Sequence, residues 1–197
     1  AGITASFPAR MYVDWVRLTA HPATEVFFGT DKEENGNFGI FTETTPVSKA
    51  LTFIEEGQEG PDFNYSDLAV LYIWNNLTQA DPPAPSEGSQ CWSFTAAAGN
   101  WYGMGVFVPT FRNMKNYSDG ILHLDMATTT QETIKIGVKS SVGGESWLFL
   151  KAAGEQFGLV RDGDWHHVQI PLNRFANTDF QTVHQMLMIA GDPPASA

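Results

Sequence analysis

Residues 121–140 read ILHLDMATTTQETIKIGVKS, and two runs inside this stretch decide the fold class. In Ile121–Met126, Leu122, Leu124 and Met126 fall on one side, and His123 and Asp125 on the other. In Ile134–Lys139, Ile134, Ile136 and Val138 fall on one side, and Lys135 and Lys139 on the other. A period of two is the signature of a strand with one packed face and one wet face. Trp165–Leu172 repeats it, with Val168, Ile170 and Leu172 inward and His167 and Gln169 outward. Working outward, further strands are expected over Met11–Leu18, Phe38–Thr42, Leu68–Asn75, Gln90–Thr95, Tyr102–Pro109, Ser146–Leu150 and Met186–Ala190. The central runs extend to Ile121–Ala127 and Thr133–Ser140. Turn signals separate them at Glu56-Gly57, Asp81-Pro82-Pro83, Gly99-Asn100, Ser118-Asp119-Gly120, Gly143-Gly144 and Asp162-Gly163. The best helical candidate is the short segment Thr178–Gln185. Many short strands joined by regular turns predict an all-β fold, a β-sandwich of jelly-roll type.

Composition narrows the function classes. Of 197 residues, 43% are apolar, enough for a packed core and too many for a disordered chain. No window approaches the ~18 unbroken apolar residues of a helical membrane span. The formal charge of −11 leaves no basic stripe to displace phosphate counterions, which argues against nucleic acid. The opening residues AGITASFPAR lack the charged-then-apolar layout of a signal peptide, so in a secreted protein the leader is expected to have been removed or to lie outside this sequence. The single cysteine, Cys91, excludes a disulfide framework within the chain and a Cys-rich zinc site, and reads as a packed strand residue. His166 and His167 are adjacent on a strand, point to opposite faces and make a poor chelate, so one packed and one exposed histidine is expected.

FPARMYVDWVRLTA resembles the closing strand of family 16 glycoside hydrolases, the laminarinase and lichenase group, with Tyr12 to Arg17 carrying the match. From about Phe38 the chain resembles a galactose-binding-like sandwich of the kind appended to such enzymes. The matching stretches are FGIFTETTP, LAVLYIWNN, the PSEGS run, NWYGMGV and GLVRDGDWHHVQIPL. The resemblance therefore divides the chain into 1–21, a closing strand and linker, and 22–197, a carbohydrate-binding module of the calcium-containing sandwich type. Such modules end in a strand with a Tyr-Ile-Asp-Asp-like motif, whereas this chain ends in GDPPASA. Met11–Leu18, apolar on both faces, is expected to be buried; either the sequence stops short of that last strand, or Met11–Leu18 fills its slot, in its own chain or between chains. The resemblance also implies a structural Ca2+ held by Asp14 and Glu43, with Glu87 as a third ligand; hard oxygen donors suit that ion.

The Glu-x-Asp-x-x-Glu strand that carries hydrolysis in family 16 is missing, as are Gly-x-Ser-x-Gly and a phosphate-cradling glycine loop. The resemblance thus implies noncatalytic binding that targets an appended glycoside hydrolase to a polysaccharide outside the cell. A β-glucan of the laminarin type comes first; agarose, carrageenan and mixed-linkage glucan stay open. Alternatives are a structural or interdomain β-sandwich and a small all-β polysaccharide-degrading enzyme. Sugar C–H faces stack on aromatic rings, so wet tryptophans are the binding candidates. Trp101, beside Gly99 and Gly103, and Trp147, whose neighbours Leu148 and Leu150 point the other way, are expected to stack. His123, Lys135 and Gln169 point outward and are expected to add hydrogen bonds. Trp15, Trp74 and Trp92 read as structural, and Trp165 as a turn plug.

Overall fold

A computed structural model describes residues 9–19, 33–34, 37–41, 53–55 and 70–192. Its strands are β1 (Ala9–Thr19), β2 (Glu33–Glu34), β3 (Asn37–Phe41), β4 (Phe53–Glu55), β5 (Val70–Asn75), β6 (Leu77–Gln79), β7 (Trp92–Ala96), β8 (Tyr102–Arg112), β9 (Ile121–Thr128), β10 (Ile134–Ser140), β11 (Gly144–Leu150), β12 (His166–Pro171) and β13 (Val183–Gly191). One sheet runs β12-β9-β1-β3-β2, with β7 also on β1 and β6 on β7; the other runs β11-β10-β13-β8-β5-β4. All pairings are antiparallel except β4 with β5. From β7 onward the chain repeatedly crosses between sheets, the alternation of a jelly roll. The fold is an all-β sandwich, as the alternation in residues 121–140 implies.

The interior follows directly from that alternation. Leu122, Leu124, Met126, Val168 and Ile170 project from one sheet and Leu71, Val106, Ile134, Ile136 and Ile189 from the other, and none of the ten is exposed. Trp92 is buried and stacks on Phe41, with centroids 4.3 Å apart. Trp165 donates from Nε1 to the Ala84 carbonyl at 2.9 Å and packs on Tyr12, plugging the loop before β7. Cys91 is a half-buried free thiol whose pKa burial pushes up.

Strand β1 is central. One edge pairs with β9; the other pairs with β7 over Ala9–Val13 and with β3 over Val16–Thr19. The expected division at residue 21 therefore falls between strands of a single sheet. Met11 and Val13 are buried on odd positions, and Val16 and Leu18 on even ones. An uninterrupted strand cannot put both pairs inward, so one extra residue must re-phase it. The register with β9 slips between Asp14 and Arg17, and Trp15 sits in the left-handed region at φ 47°. Such a backbone costs on the order of 1–3 kcal/mol for a non-glycine residue. Asp14 offsets it: Oδ1 accepts the Trp15 N–H at 2.8 Å, and Oδ2 accepts the Ser86 and Glu87 N–H groups at 3.0 and 3.1 Å. Asp14 is 2% exposed, and burial raises its carboxyl pKa against the lowering effect of those hydrogen bonds. Unbroken alternation would place Tyr12, Val16 and Leu18 on one face; with the bulge Val16 and Leu18 join Met11 and Val13 inside, and Trp15 turns to the outside.

One further expectation gives way. Thr178–Gln185 is not helical: Asp179 accepts the N–H of Gln181 on its carboxylate and that of Thr182 on its carbonyl, and Val183 opens β13. These local bonds satisfy the amides a helix would use. The paired histidines divide between a partly buried His166 and an exposed His167. His166 meets Asp162 at 2.7 Å and His167 meets Asp125 at 2.6 Å, on opposite faces of β12. No helix among the described residues is long and apolar enough to cross a membrane.

Candidate functional site

The outer face of the second sheet is assembled in rows, because paired residues on neighbouring strands point the same way. Across β11, β10, β13, β8 and β5, the middle row reads Trp147, Gly137, Met188, Gly105, Tyr72. A flanking row reads Phe149, Lys135, Ala190, Gly103. The other flank reads Glu145, Lys139, Gln185, Phe107. Three glycines and an alanine thus occupy outward positions where a strand normally carries larger side chains.

That missing bulk is filled by indole. A Cβ on Gly137 would lie 2.6 Å from Trp147 Cε3 and 2.8 Å from Met188 Cε. On Gly103 it would lie 2.6 Å from Trp74 Cε3, and on Gly105 2.7 Å from Trp74 Cζ2. Both rings therefore rest directly on backbone, Trp147 over β10 and Trp74 over β8, each half-buried. They meet edge to face, with centroids 6.3 Å apart and planes at 81°. Met188 points outward between them and is still fully buried, because the two rings cover it. Trp101, 46% exposed, stands beside Gly103, and Asn75 Nδ2 donates to its carbonyl at 2.9 Å.

Together these groups line an open trough of about 490 Å3, with Trp74, Trp101, Trp147 and Phe149 as its aromatic walls. That volume falls within the ~300–1,000 Å3 of small-molecule clefts. The polar lining is paired. Glu145 accepts from Trp147 Nε1 at 3.1 Å and from Lys139 Nζ at 3.2 Å, which sets the indole's rotation and neutralises the lysine. Lys135 reaches Asp192 at 2.7 Å. Gln185 adds an amide to the lining. The trough is an apolar, ring-lined surface with charge-balanced polar edges, suited to a ligand with C–H faces and hydroxyl rims.

Of the expected sugar-contacting residues, Trp101, Trp147 and Lys135 come together here. His123 and Gln169 do not: they pair with each other on the outer face of the opposite sheet, and His123 is 9% exposed beneath Trp15 and His167. An outward position is therefore not a wet one. The reading of Trp74 as a structural residue is corrected too. It shares the outer face with Tyr72, while Leu71 and Ile73 point in. The signal that could have found it is glycine at outward positions 103, 105 and 137, each marking where a neighbouring ring can lie down. Lys139, Glu145, Phe149 and Gln185 were missed because register across β10, β11 and β13 is not written in any one strand.

Of the residues implied for calcium, Glu43 lies outside the described residues. Asp14 has both oxygens engaged by amide N–H groups, including that of Glu87. Among the described residues no group of three or more His, Cys, Asp or Glu side chains is placed to hold a metal.

No curated protein matches the chain. No solved structure matches it either. A family model described as carbohydrate binding domain 30 matches residues 42–194, a stretch that takes in every strand lining the trough and leaves β1 to β3 before it. With that match covering most of its length, and a tryptophan-lined trough on the matched sheet, the chain belongs to the carbohydrate-binding domain 30 family, whose members bind carbohydrate without cleaving it.

Proposed function

We propose that the trough binds a β-glucan chain, laminarin-type β-1,3-glucan first, and thereby holds a glycoside hydrolase carried on the same parent chain against its substrate outside the cell. The observation that carries this reading is the set of indoles resting on a glycine floor. Rings placed this way expose their free faces to a sugar and stay put when it leaves, so little side-chain entropy is lost on binding. The edges support a neutral sugar over a sulfated one. Lys135 is paired with Asp192 and Lys139 with Glu145, so neither lysine is available to a sulfate without breaking an ion pair. This ranks β-glucan and agarose above carrageenan. The choice of glucan rests on the sequence resemblance of Tyr12–Arg17 to a family 16 strand alone, and that stretch is here the central strand of the sandwich's own sheet.

The test is native gel electrophoresis of the protein through laminarin, mixed-linkage glucan, agarose and carrageenan, alongside Trp147→Ala. Retardation by laminarin and loss of it in the variant are expected. Retardation by agarose or carrageenan alone would overturn the glucan assignment, and equal retardation of the variant would overturn the site.

A further inference from the structure

On the opposite face of the sandwich, far from the trough in topology, β9 and β12 bring two histidines together. His167 pairs with Asp125, and Gln169 with His123, so His123 and His167 are diagonal neighbours on one face. Diagonal positions on paired strands lie within reach of long or ring side chains. His123 Nδ1 and His167 Nε2 are 3.1 Å apart. In the free protein that gap holds one shared proton. It is also the spacing of two adjacent ligands on one d-block cation, since metal–imidazole bonds are about 2.0–2.1 Å.

The surroundings hold the His167 ring in place beside His123. His167 Nδ1 donates to Asp125 Oδ1 at 2.6 Å, which fixes the ring and aims Nε2 at His123. A carboxylate behind a metal-binding imidazole is the usual support for such a ligand. Ser86 Oγ donates in turn to Asp125 Oδ2 at 2.6 Å. Beside the pair, Asp125 is opposed by Arg17, whose guanidinium lies 4.3 Å over the Trp15 ring. The Trp15 ring centroid is 5.1 Å from that of His167 and 6.0 Å from that of His123.

We propose that His123 Nδ1 and His167 Nε2 bind one borderline or soft divalent transition-metal ion, such as copper or zinc, with Asp125 orienting the His167 ring. Two protein nitrogens are supplied and water completes the shell, consistent with the lack of any three-residue cluster among the described residues. Binding displaces the shared proton from the gap, to the other nitrogen of His123 or to solvent. The oxygen-seeking ions Ca2+ and Mg2+ are not held by such a pair. This site is independent of the sugar trough, which lies on the other sheet.

The full chain is titrated with Cu2+, following heat and tryptophan emission together. A single tight equivalent is expected, with partial quenching from the adjacent Trp15. His167 is the variant to trust, because its side chain is 37% exposed and its loss spares the core. His167→Gln is expected to weaken binding at least tenfold and to remove the quench. Asp125→Asn is expected to weaken it about tenfold or more. Trp15→Phe should keep the heat and lose the quench, and His166→Ala should change neither. An unaltered titration of His167→Gln, loss of binding in His166→Ala, or displacement of Cu2+ by excess Ca2+ would each overturn the assignment.

Discussion

Replacing Gly137 with alanine adds one methyl group under the platform and separates binding from folding. The new Cβ would lie 2.6 Å from Trp147 Cε3 and 2.9 Å from Cδ2, with Met188 Cε 2.8 Å away on the other side. Carbon contacts are most favourable at about 3.5–4.0 Å, so the indole has to rise by roughly 1 Å. Forcing the ring off its rotamer costs on the order of 0.5–1.5 kcal/mol. Alanine in a strand recovers about 0.5–1 kcal/mol of the backbone entropy that glycine loses. The two nearly cancel, and at about 2–4 °C per kcal/mol for a chain of this size the melting temperature should move by only a few degrees. Binding has no such compensation. The raised ring leaves its 3.1 Å bond to Glu145 and its edge contact with Trp74. Losing one ring contact worth about 0.5–1.5 kcal/mol lowers affinity by roughly two- to tenfold. Calorimetric titration with laminarin oligosaccharides and a thermal melt read the two effects separately. Gly103→Ala, whose Cβ would meet Trp74 Cε3 at 2.6 Å, should behave alike. Full affinity in both variants with unchanged melting would refute the glycine-floor argument. A collapse of stability by several kcal/mol in Gly137→Ala would show that Trp147 is a core residue.

Trp101→Ala should keep the wild-type melting temperature, since the ring is 46% exposed, while weakening glucan retardation in the same gels. Arg161→Ala should lose roughly 3 kcal/mol in urea unfolding, because its guanidinium bonds the carbonyls of Thr130, Glu132 and Leu150 at 2.6, 2.9 and 2.7 Å; Arg161→Lys should recover only part, an ammonium being unable to span them. Asp14→Ala should lower the melting temperature even in calcium-free buffer, by releasing three amides, and any additional calcium-dependent share would appear as a fall on chelation in wild type alone. His123 is held to about 4 by burial first, and then by the charge of Arg17 and by His167, with Asp125 opposing. The unfolded chain, with an ordinary histidine near 6.5, then binds more protons between those values. Stability should therefore be full above pH 6.5 and fall as the pH drops towards 4, by roughly 3.5 kcal/mol at most at about 1.4 kcal/mol per pKa unit. His123→Gln should flatten that slope in melts recorded from pH 7 to 4.

What could be read from sequence and what could not divides along a physical line. Alternation within one strand is local, so Leu122, Leu124, Ile134, Ile136, Val168 and Ile170 declare their burial without a partner in sight, and the sandwich follows from them. Register between strands is not local. Trp74 becomes a platform only because β8 places Gly103 and Gly105 beside it, and Glu145 becomes the clamp of Trp147 and Lys139 only because β11 pairs residue for residue with β10. The bulge in β1 shows the same limit from the other side. Its apolar residues change parity between Val13 and Val16, which betrays an inserted residue, but the identity of the capping carboxylate requires the Ser86 and Glu87 backbone, 72 and 73 residues away in the chain. The pairing of His123 with His167 is hidden for this reason as well: they are 44 residues apart and meet only through the diagonal of β9 on β12. Glycine is the exception that bridges the two levels. At an outward position of a well-alternating strand it is a local anomaly with a non-local cause, and on this sheet Gly103, Gly105 and Gly137 each lie under a ring. Small residues on the wet face of a strand therefore locate the platform before any register is known, and they do so more sharply than the tryptophans themselves.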